Sequence, residues 1–128
     1  MECRVTTTTK KTTARRATGD HFEGAALSFL QSRGLRLVRA NFLCRHGEID
    51  LVMRDGEALV FVEVRYRRSA AFGGALGSVT AAKRRRVISA AHLWLAWHPC
   101  DARRPCRFDV LAFEGESVEW VRGAFDAG

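Results

Sequence analysis

The stretch Gly47-Glu48-Ile49-Asp50-Leu51-Val52-Met53-Arg54-Asp55-Gly56-Glu57-Ala58-Leu59-Val60-Phe61-Val62-Glu63-Val64-Arg65 decides how this chain is read. Its outer segments, 47–51 and 61–65, alternate apolar and charged residues with the period of a half-buried strand. Asp-Gly between two such runs is a strong hairpin signal. With Asp55 and Gly56 as the two-residue turn, Arg54 faces Glu57, Ile49 faces Val62 and Leu51 faces Val60, giving one apolar face. Glu48 then faces Glu63 and Asp50 faces Phe61, so Glu48, Asp50, Glu63 and Arg65 share the opposite face. A slip of one residue would send every partner to the wrong side. Like charges facing each other are unfavourable unless something offsets them, and a divalent metal with oxygen ligands is the natural candidate. The plainer alternative is a solvated polar face of a sheet.

The chain of 128 residues is long enough for one domain with a real core, and a hydrophobic fraction of 47% with three tryptophans supports a packed globule. A net charge of +7 and an isoelectric point near 10.1 favour a polyanionic partner. The charge is uneven: residues 1–18 hold Arg4, Lys10, Lys11, Arg15 and Arg16 against Glu2, which leaves only +3 on the rest. That Thr-rich basic tail has little to bury and is expected to be disordered, with the domain spanning 19–128. Cys3, Cys44, Cys100 and Cys106 lack C-x-x-C spacing, so reduced thiols are expected rather than a zinc or redox site. No leader-like or membrane-length apolar run is present, which points to a cytoplasmic protein.

Residues 20–33 read as a helix, with Phe22, Ala25, Ala26, Phe29 and Leu30 at helical spacing and Gly34 as its stop. Residues 35–43 read as a strand leading into the hairpin. After the Gly-rich loop 72–77, Ser78 or Thr80 is a reasonable N-cap for a second helix over about 80–97. Val87, Ala90, Ala91, Trp94 and Leu95 form its apolar stripe, and Pro99 ends it. Strands follow at 106–113 and 117–122. The fold class is therefore α/β, in the order helix, three strands, helix, two strands. Trp94, Trp97 and Trp120 are expected to be core or half-buried, and His21, His46, His92 and His98 show no ligand spacing.

Carboxylates on adjacent strands, with a cation beside them, suit phosphodiester hydrolysis: a bound metal activates water and offsets charge on the phosphate. Two further residues join this picture. Glu23, one position off the first helix's stripe, could look toward the carboxylates; it also fits a capping box with Asp20 as N-cap. Lys83, four residues before Val87, should point to the sheet, whereas part of Arg84-Arg85-Arg86 must face water. Cations are disfavoured at a helix N-terminus, so this run suggests a bound anion such as a nucleic-acid phosphate. A solvated basic helix start is the simpler reading.

Several blocks carry a resemblance. Gly19…Glu23-Gly24-Ala25-Ala26…Leu30, Arg33-Gly34, Asn41-Phe42, Gly47 to Leu51, Phe61 to Arg67, Phe72-Gly73, Val79-Thr80…Lys83 and Arg107-Phe108-Asp109-Val110 resemble, in order, the bacterial YraN family from about residue 18 onward. The resemblance implies a restriction-endonuclease-like fold with the PD-(D/E)xK nuclease core, similar to archaeal Holliday-junction resolvases, which are dimeric and metal-dependent. By position it makes Glu23 the helix carboxylate, Asp50 the bridging metal ligand, Glu63 the second strand ligand and the Val64 carbonyl an additional one, for Mg²⁺ or Mn²⁺. The motif lysine is replaced by Arg65. Arginine stays protonated and cannot act as a base, though it can clamp phosphate. Either it acts only electrostatically, or Lys83 supplies the amine, or catalysis is lost; Lys83 is favoured because related nucleases move this lysine.

The resulting expectation is a metal-dependent DNA nuclease, acting on branched or recombination intermediates, with Glu23, Asp50, Glu63, Arg65 and Lys83 catalytic. Lys83, Arg84, Arg85 and Arg67 are the expected nucleic-acid contacts, DNA ahead of RNA, and a homodimer is implied. The alternative is a catalytically inactive nucleic-acid-binding module of the same fold.

Overall fold

The computed structural model describes residues 24–67 and 79–127, without the side chain of Arg67. The basic tail, the Asp20–Glu23 cap, the Gly-rich loop 72–77 and Ser78 lie outside the described residues. Helix α1 covers residues 24–32. It is followed by β1 (Arg36–Cys44), β2 (Gly47–Asp55), β3 (Ala58–Arg67), α2 (Ala81–Trp97), β4 (Cys106–Glu114) and β5 (Ser117–Phe125). The strands form one sheet in the order β1-β2-β3-β4-β5. Only the β3–β4 pair is parallel among these neighbours. A parallel pair needs a long crossover, and α2 lies within that connection.

Local chemistry fixes the element ends. Gly34 (φ 95°) closes α1: its amide donates to the Gln31 carbonyl at 3.0 Å and that of Leu35 to the Leu30 carbonyl at 3.1 Å. This is the paired-bond stop that a left-handed glycine permits. Thr80 caps α2, its Oγ1 accepting from the Lys83 amide at 3.1 Å.

The sheet is covered on both faces, which the alternating hairpin does not announce. On one side Val87, Ala90, Ala91 and Trp94 of α2 pack with Phe42, Ile49, Val52, Leu59, Phe61 and Phe108. On the other, Ala26 and Leu30 of α1 pack with Leu35, Leu51, Met53, Val60, Val62 and Leu111. Double coverage explains the unbroken apolar runs Leu51-Val52-Met53 and Leu59-Val60-Phe61-Val62. The expected polar face survives only at one end of the hairpin.

The hairpin register differs from expectation. Asp55 pairs with Ala58, Met53 with Val60, Val52 with Phe61 and Leu51 with Val62. The two-residue turn is therefore Gly56-Glu57, with Gly56 alone at positive φ (61°), the pattern of a type II′ turn. The expected facings Ile49–Val62, Leu51–Val60, Glu48–Glu63 and Asp50–Phe61 are each displaced by two positions. A two-residue displacement preserves which side of a strand each side chain takes, so Asp50 and Glu63 still meet.

Two smaller corrections concern side chains. Trp97 is 61% exposed, its ring edge-on to Phe42, whereas Trp94 is buried and Trp120 half-buried. Cys44 and Cys106 are free thiols, but Cys100 is disulfide-bonded, contrary to the expectation of four reduced cysteines. No helix among the described residues is long and apolar enough to cross a membrane.

Candidate functional site

The hydrogen-bonded ladder between β2 and β3 ends at Leu51–Val62, although both strands continue. Beyond it, among the described residues, β2 pairs only with β1, down to Cys44–Gly47, and β3 only with β4, up to Arg67–Glu114. The strands thus part into a wedge, with Asp50 on one wall and Glu63 on the other. Asn41, with φ 57°, lies on β1 between the paired residues Ala40 and Phe42. Across this point the side-chain alternation inverts: Ala40 and Leu51 join the α1-side core, Phe42 and Ile49 the α2-side core. Asp50 lies at the inversion, and its Oδ2 accepts the Val64 amide of β3 at 2.8 Å. A carboxylate therefore replaces a ladder carbonyl where the strands separate.

Glu63 is 2% exposed, and its Oε2 has Lys83 Nζ and Arg65 Nη1 each at 3.6 Å. Lys83 Nζ also lies 3.7 Å from Glu48 Oε1. These are ion-pair separations rather than short hydrogen bonds. The other oxygen, Oε1, is buried with no hydrogen-bond partner. Burial first, and then the Asp50 charge, push the Glu63 carboxyl up to about 8 against the opposing charges of Lys83 and Arg65. Asp50 is also raised, by burial first, against the Val64 amide, with Glu48 adding to the rise and Lys83 opposing it. The interaction between the two carboxyls lowers Asp50 and raises Glu63, so the proton favours Glu63.

The helix brings Lys83 here because it belongs to the first turn of α2, one turn before the buried Val87. Gly47 permits the approach. A Cβ there would collide with the Arg86 carbonyl, so only glycine lets α2 descend onto the start of β2.

Of the expected site residues, the structure brings Asp50, Glu63, Arg65 and Lys83 together and adds Glu48. Val64 is joined through its amide. Glu23 and the Arg67 side chain lie outside the described residues. Arg84 is turned elsewhere: its Nε donates to the Val79 carbonyl at 3.2 Å and its guanidinium lies over Phe125. Arg85 is exposed. Among the described residues no group of three or more His, Cys, Asp or Glu side chains is arranged to hold a metal ion. The donor chemistry still suits a hard divalent cation: two adjoining carboxylates, one with an orphaned buried oxygen. Sequence reading missed Arg45 and His46, which line a cavity beside the cluster together with Arg86 of the expected anion-binding run. Their signal was faint, a basic dipeptide in a tight turn.

A second buried acid behaves differently. Asp109, fully buried on β4, accepts from Arg107 Nε at 3.0 and 3.2 Å, Trp120 Nε1 at 2.9 Å and the Gly123 amide at 3.0 Å. Gly123 has φ 60°, and the β4–β5 register shifts between Phe108 and Val110. Arg107 continues to Asp55 Oδ2 at 2.9 Å. This network ties β5 and the hairpin turn to β4; sequence reading gave Asp109 no role.

Comparison with known proteins adds the family. The model of the uncharacterised protein family UPF0102 matches residues 22–113. A UPF0102 protein of Alkalilimnicola ehrlichii is 54% identical over 110 residues, covering 86% of this chain and 87% of the relative. The UPF0102 protein YraN of Salmonella arizonae is 54% identical over 109 residues, covering 84% and 83%. A UPF0102 protein of Pseudomonas syringae is 48% identical over 118 residues, covering 88% and 96%. With most of its length matched by both the family model and these relatives, the chain belongs to the UPF0102 family.

Proposed function

We propose that this protein is a metal-dependent nuclease that hydrolyses phosphodiester bonds in DNA, built on a restriction-endonuclease-like core. The observation that carries the reading is the Asp50–Glu63 pair in the wedge, raised in pKa and holding an oxygen with no partner. A buried acid left so incompletely satisfied is costly to a fold and is characteristic of sites awaiting a ligand. Asp50, Glu63 and the Val64 carbonyl would hold Mg²⁺ or Mn²⁺. When bound, such an ion supplies an activated water and neutralises charge on the phosphate. Lys83 and Arg65 stand at 3.6 Å from Glu63, where they can donate to phosphate oxygens as charge develops. Of the two, only Lys83 can also exchange a proton at its nitrogen. Glu48 holds the Lys83 ammonium on its far side. DNA ahead of RNA, branched substrates, a homodimer and a cytoplasmic setting belong to the same reading.

The test is cleavage of linear, flapped and four-way-junction DNA with Mg²⁺ or Mn²⁺, beside Asp50→Ala and Glu63→Ala. Either substitution is expected to lower cleavage by at least about a hundredfold, as losing a principal electrostatic contact does. Undiminished cleavage by the double variant would identify a contaminant and end the proposal.

One observation favours a second reading, a binding module without turnover: Lys83 and Arg65 stand at ion-pair distance from Glu63 without any metal. That reading expects metal-independent, salt-sensitive binding that Asp50→Ala leaves intact or tightens, and no cleavage under any condition.

A further inference from the structure

Beside the carboxylate wedge lies a cavity of about 350 Å³, walled by the β1–β2 turn on one side and the first turn of α2 on the other. Its lining includes Cys44, Arg45, His46, Glu48, Lys83 and Arg86. That volume falls at the small end of the roughly 300–1,000 Å³ typical of ligand sites, enough for one nucleotide-sized group. The lining is lopsided in charge. Among the described residues Glu48 is its only acid, and it is already engaged by Lys83 at 3.7 Å. Arg45, His46 and Arg86 have no ion-pair partner among the described residues. Other arginines of the fold are committed internally: Arg104 to Asp101, Arg107 to Asp109, Arg122 to Asp55.

The cavity is also built into the backbone rather than left over between side chains. Arg45-His46 is the two-residue turn that closes the Cys44–Gly47 pair. The absence of a side chain at Gly47 seats α2 directly against it, which brings Arg86 to the same opening. Lys83 and Glu48 line the cavity and also border Glu63 and Asp50. Cavity and carboxylates are therefore contiguous, sharing one wall.

We propose that this cavity is a phosphate subsite, in which Arg45, His46 and Arg86 grip a backbone phosphate of a DNA strand next to the phosphodiester held at Asp50 and Glu63. Arginine forks match phosphate oxygens bidentately, and a turn-borne pair facing a helix-borne arginine brackets the phosphate from two sides. The inference rests on the wedge being the phosphodiester site, but its test requires no cleavage.

Fluorescence anisotropy with labelled single- and double-stranded DNA in EDTA, across a salt series, compares the protein with Arg45→Ala/Arg86→Ala. A control, Arg36→Ala/Arg103→Ala, removes the same charge from exposed residues outside the cavity lining. The cavity variant is expected to bind about tenfold or more weakly and to lose roughly one unit of salt slope, the signature of one lost phosphate contact. The control is expected to stay within about twofold. Cys44, which lines the cavity, gives a second readout against the exposed thiol of Cys106. DNA is expected to slow maleimide labelling of Cys44 several-fold and leave Cys106 unchanged. Equal losses in both variants, no loss in the cavity variant, an effect seen with RNA alone, or unprotected Cys44 would each overturn the subsite. Binding that behaves as expected without any cleavage in metal would keep the subsite and remove the nuclease. Cleavage indifferent to Arg45 and Arg86 would do the reverse.

Discussion

Two buried acids of this sheet, Asp109 and Glu63, differ in how completely they are answered. Around Asp109, a guanidinium, an indole and a main-chain amide each donate within 3.2 Å. Around Glu63, two cations stand off at 3.6 Å and one oxygen has no partner. Both acids lie inside the fold, so burial alone does not mark a site. The Asp109 network is closed and holds strands together. The Glu63 cluster is open, and its acids are raised toward neutrality by burial first, which the Val64 amide, Lys83 and Arg65 only partly offset.

This contrast can be broken most forcefully by activity. Asp109→Asn, if the folded fraction is isolated, is expected to retain cleavage, whereas Asp50→Ala is expected to abolish it; cleavage assays on folded material check both. The next effect is on stability. Asp109→Ala removes the buried acceptor shared by the Trp120 indole, the Gly123 amide and the half-buried Arg107 and should cost about 3 kcal/mol, a large share of the roughly 5–15 kcal/mol that holds a domain together. Denaturant melts would show it, and a cost below about 1 kcal/mol would erase the distinction.

Glu63→Gln should act in the opposite direction, raising metal-free stability at pH 8 by about 1 kcal/mol or more, since one unit of raised pKa corresponds to about 1.4 kcal/mol. Its pH dependence carries the sign. Glu63 binds its proton up to about 8 when folded, against 4.5 as its ordinary value. The unfolded chain therefore releases the proton first, and the wild-type protein loses stability as pH rises from about 4.5 to 8. Melting curves of wild type and Glu63→Gln should converge near pH 4.5 and separate by pH 8; parallel curves would sink the assignment. Gly47→Ala is expected to cost a comparable amount, about 1–3 kcal/mol, by pushing α2 off β2 and to lower DNA affinity as well.

Periodicity made the order of elements legible, because α2 presents a continuous stripe and each strand a run bounded by turn residues. The gathering of Asp50, Glu63, Arg65 and Lys83 was legible for a narrower reason. Strand parity specifies the side of Glu63 and Arg65 and helical spacing that of Lys83, but parity fails along β2, where Ile49 and Leu51, expected on one face, pack on opposite sides. The register itself was not legible, since Asp55-Gly56 and Gly56-Glu57 are both acceptable turns and alternation does not separate registers two residues apart. Asn41 reversing the alternation went unread, although asparagine is uncommon in strands and enriched at positive φ. Asp109 escaped notice because its partners Trp120 and Gly123 come from another strand across a shifted register.

The cap of α2 has one further consequence. Thr80 Oγ1 accepts the amide of Lys83, the same residue whose ammonium faces Glu48 and Glu63. Fraying of the helix tip therefore withdraws the amine, and a firm grip on the amine suppresses fraying. Order at the tip and the ionisation of the wedge are two readouts of a single equilibrium, like a latch whose bolt and spring are one piece.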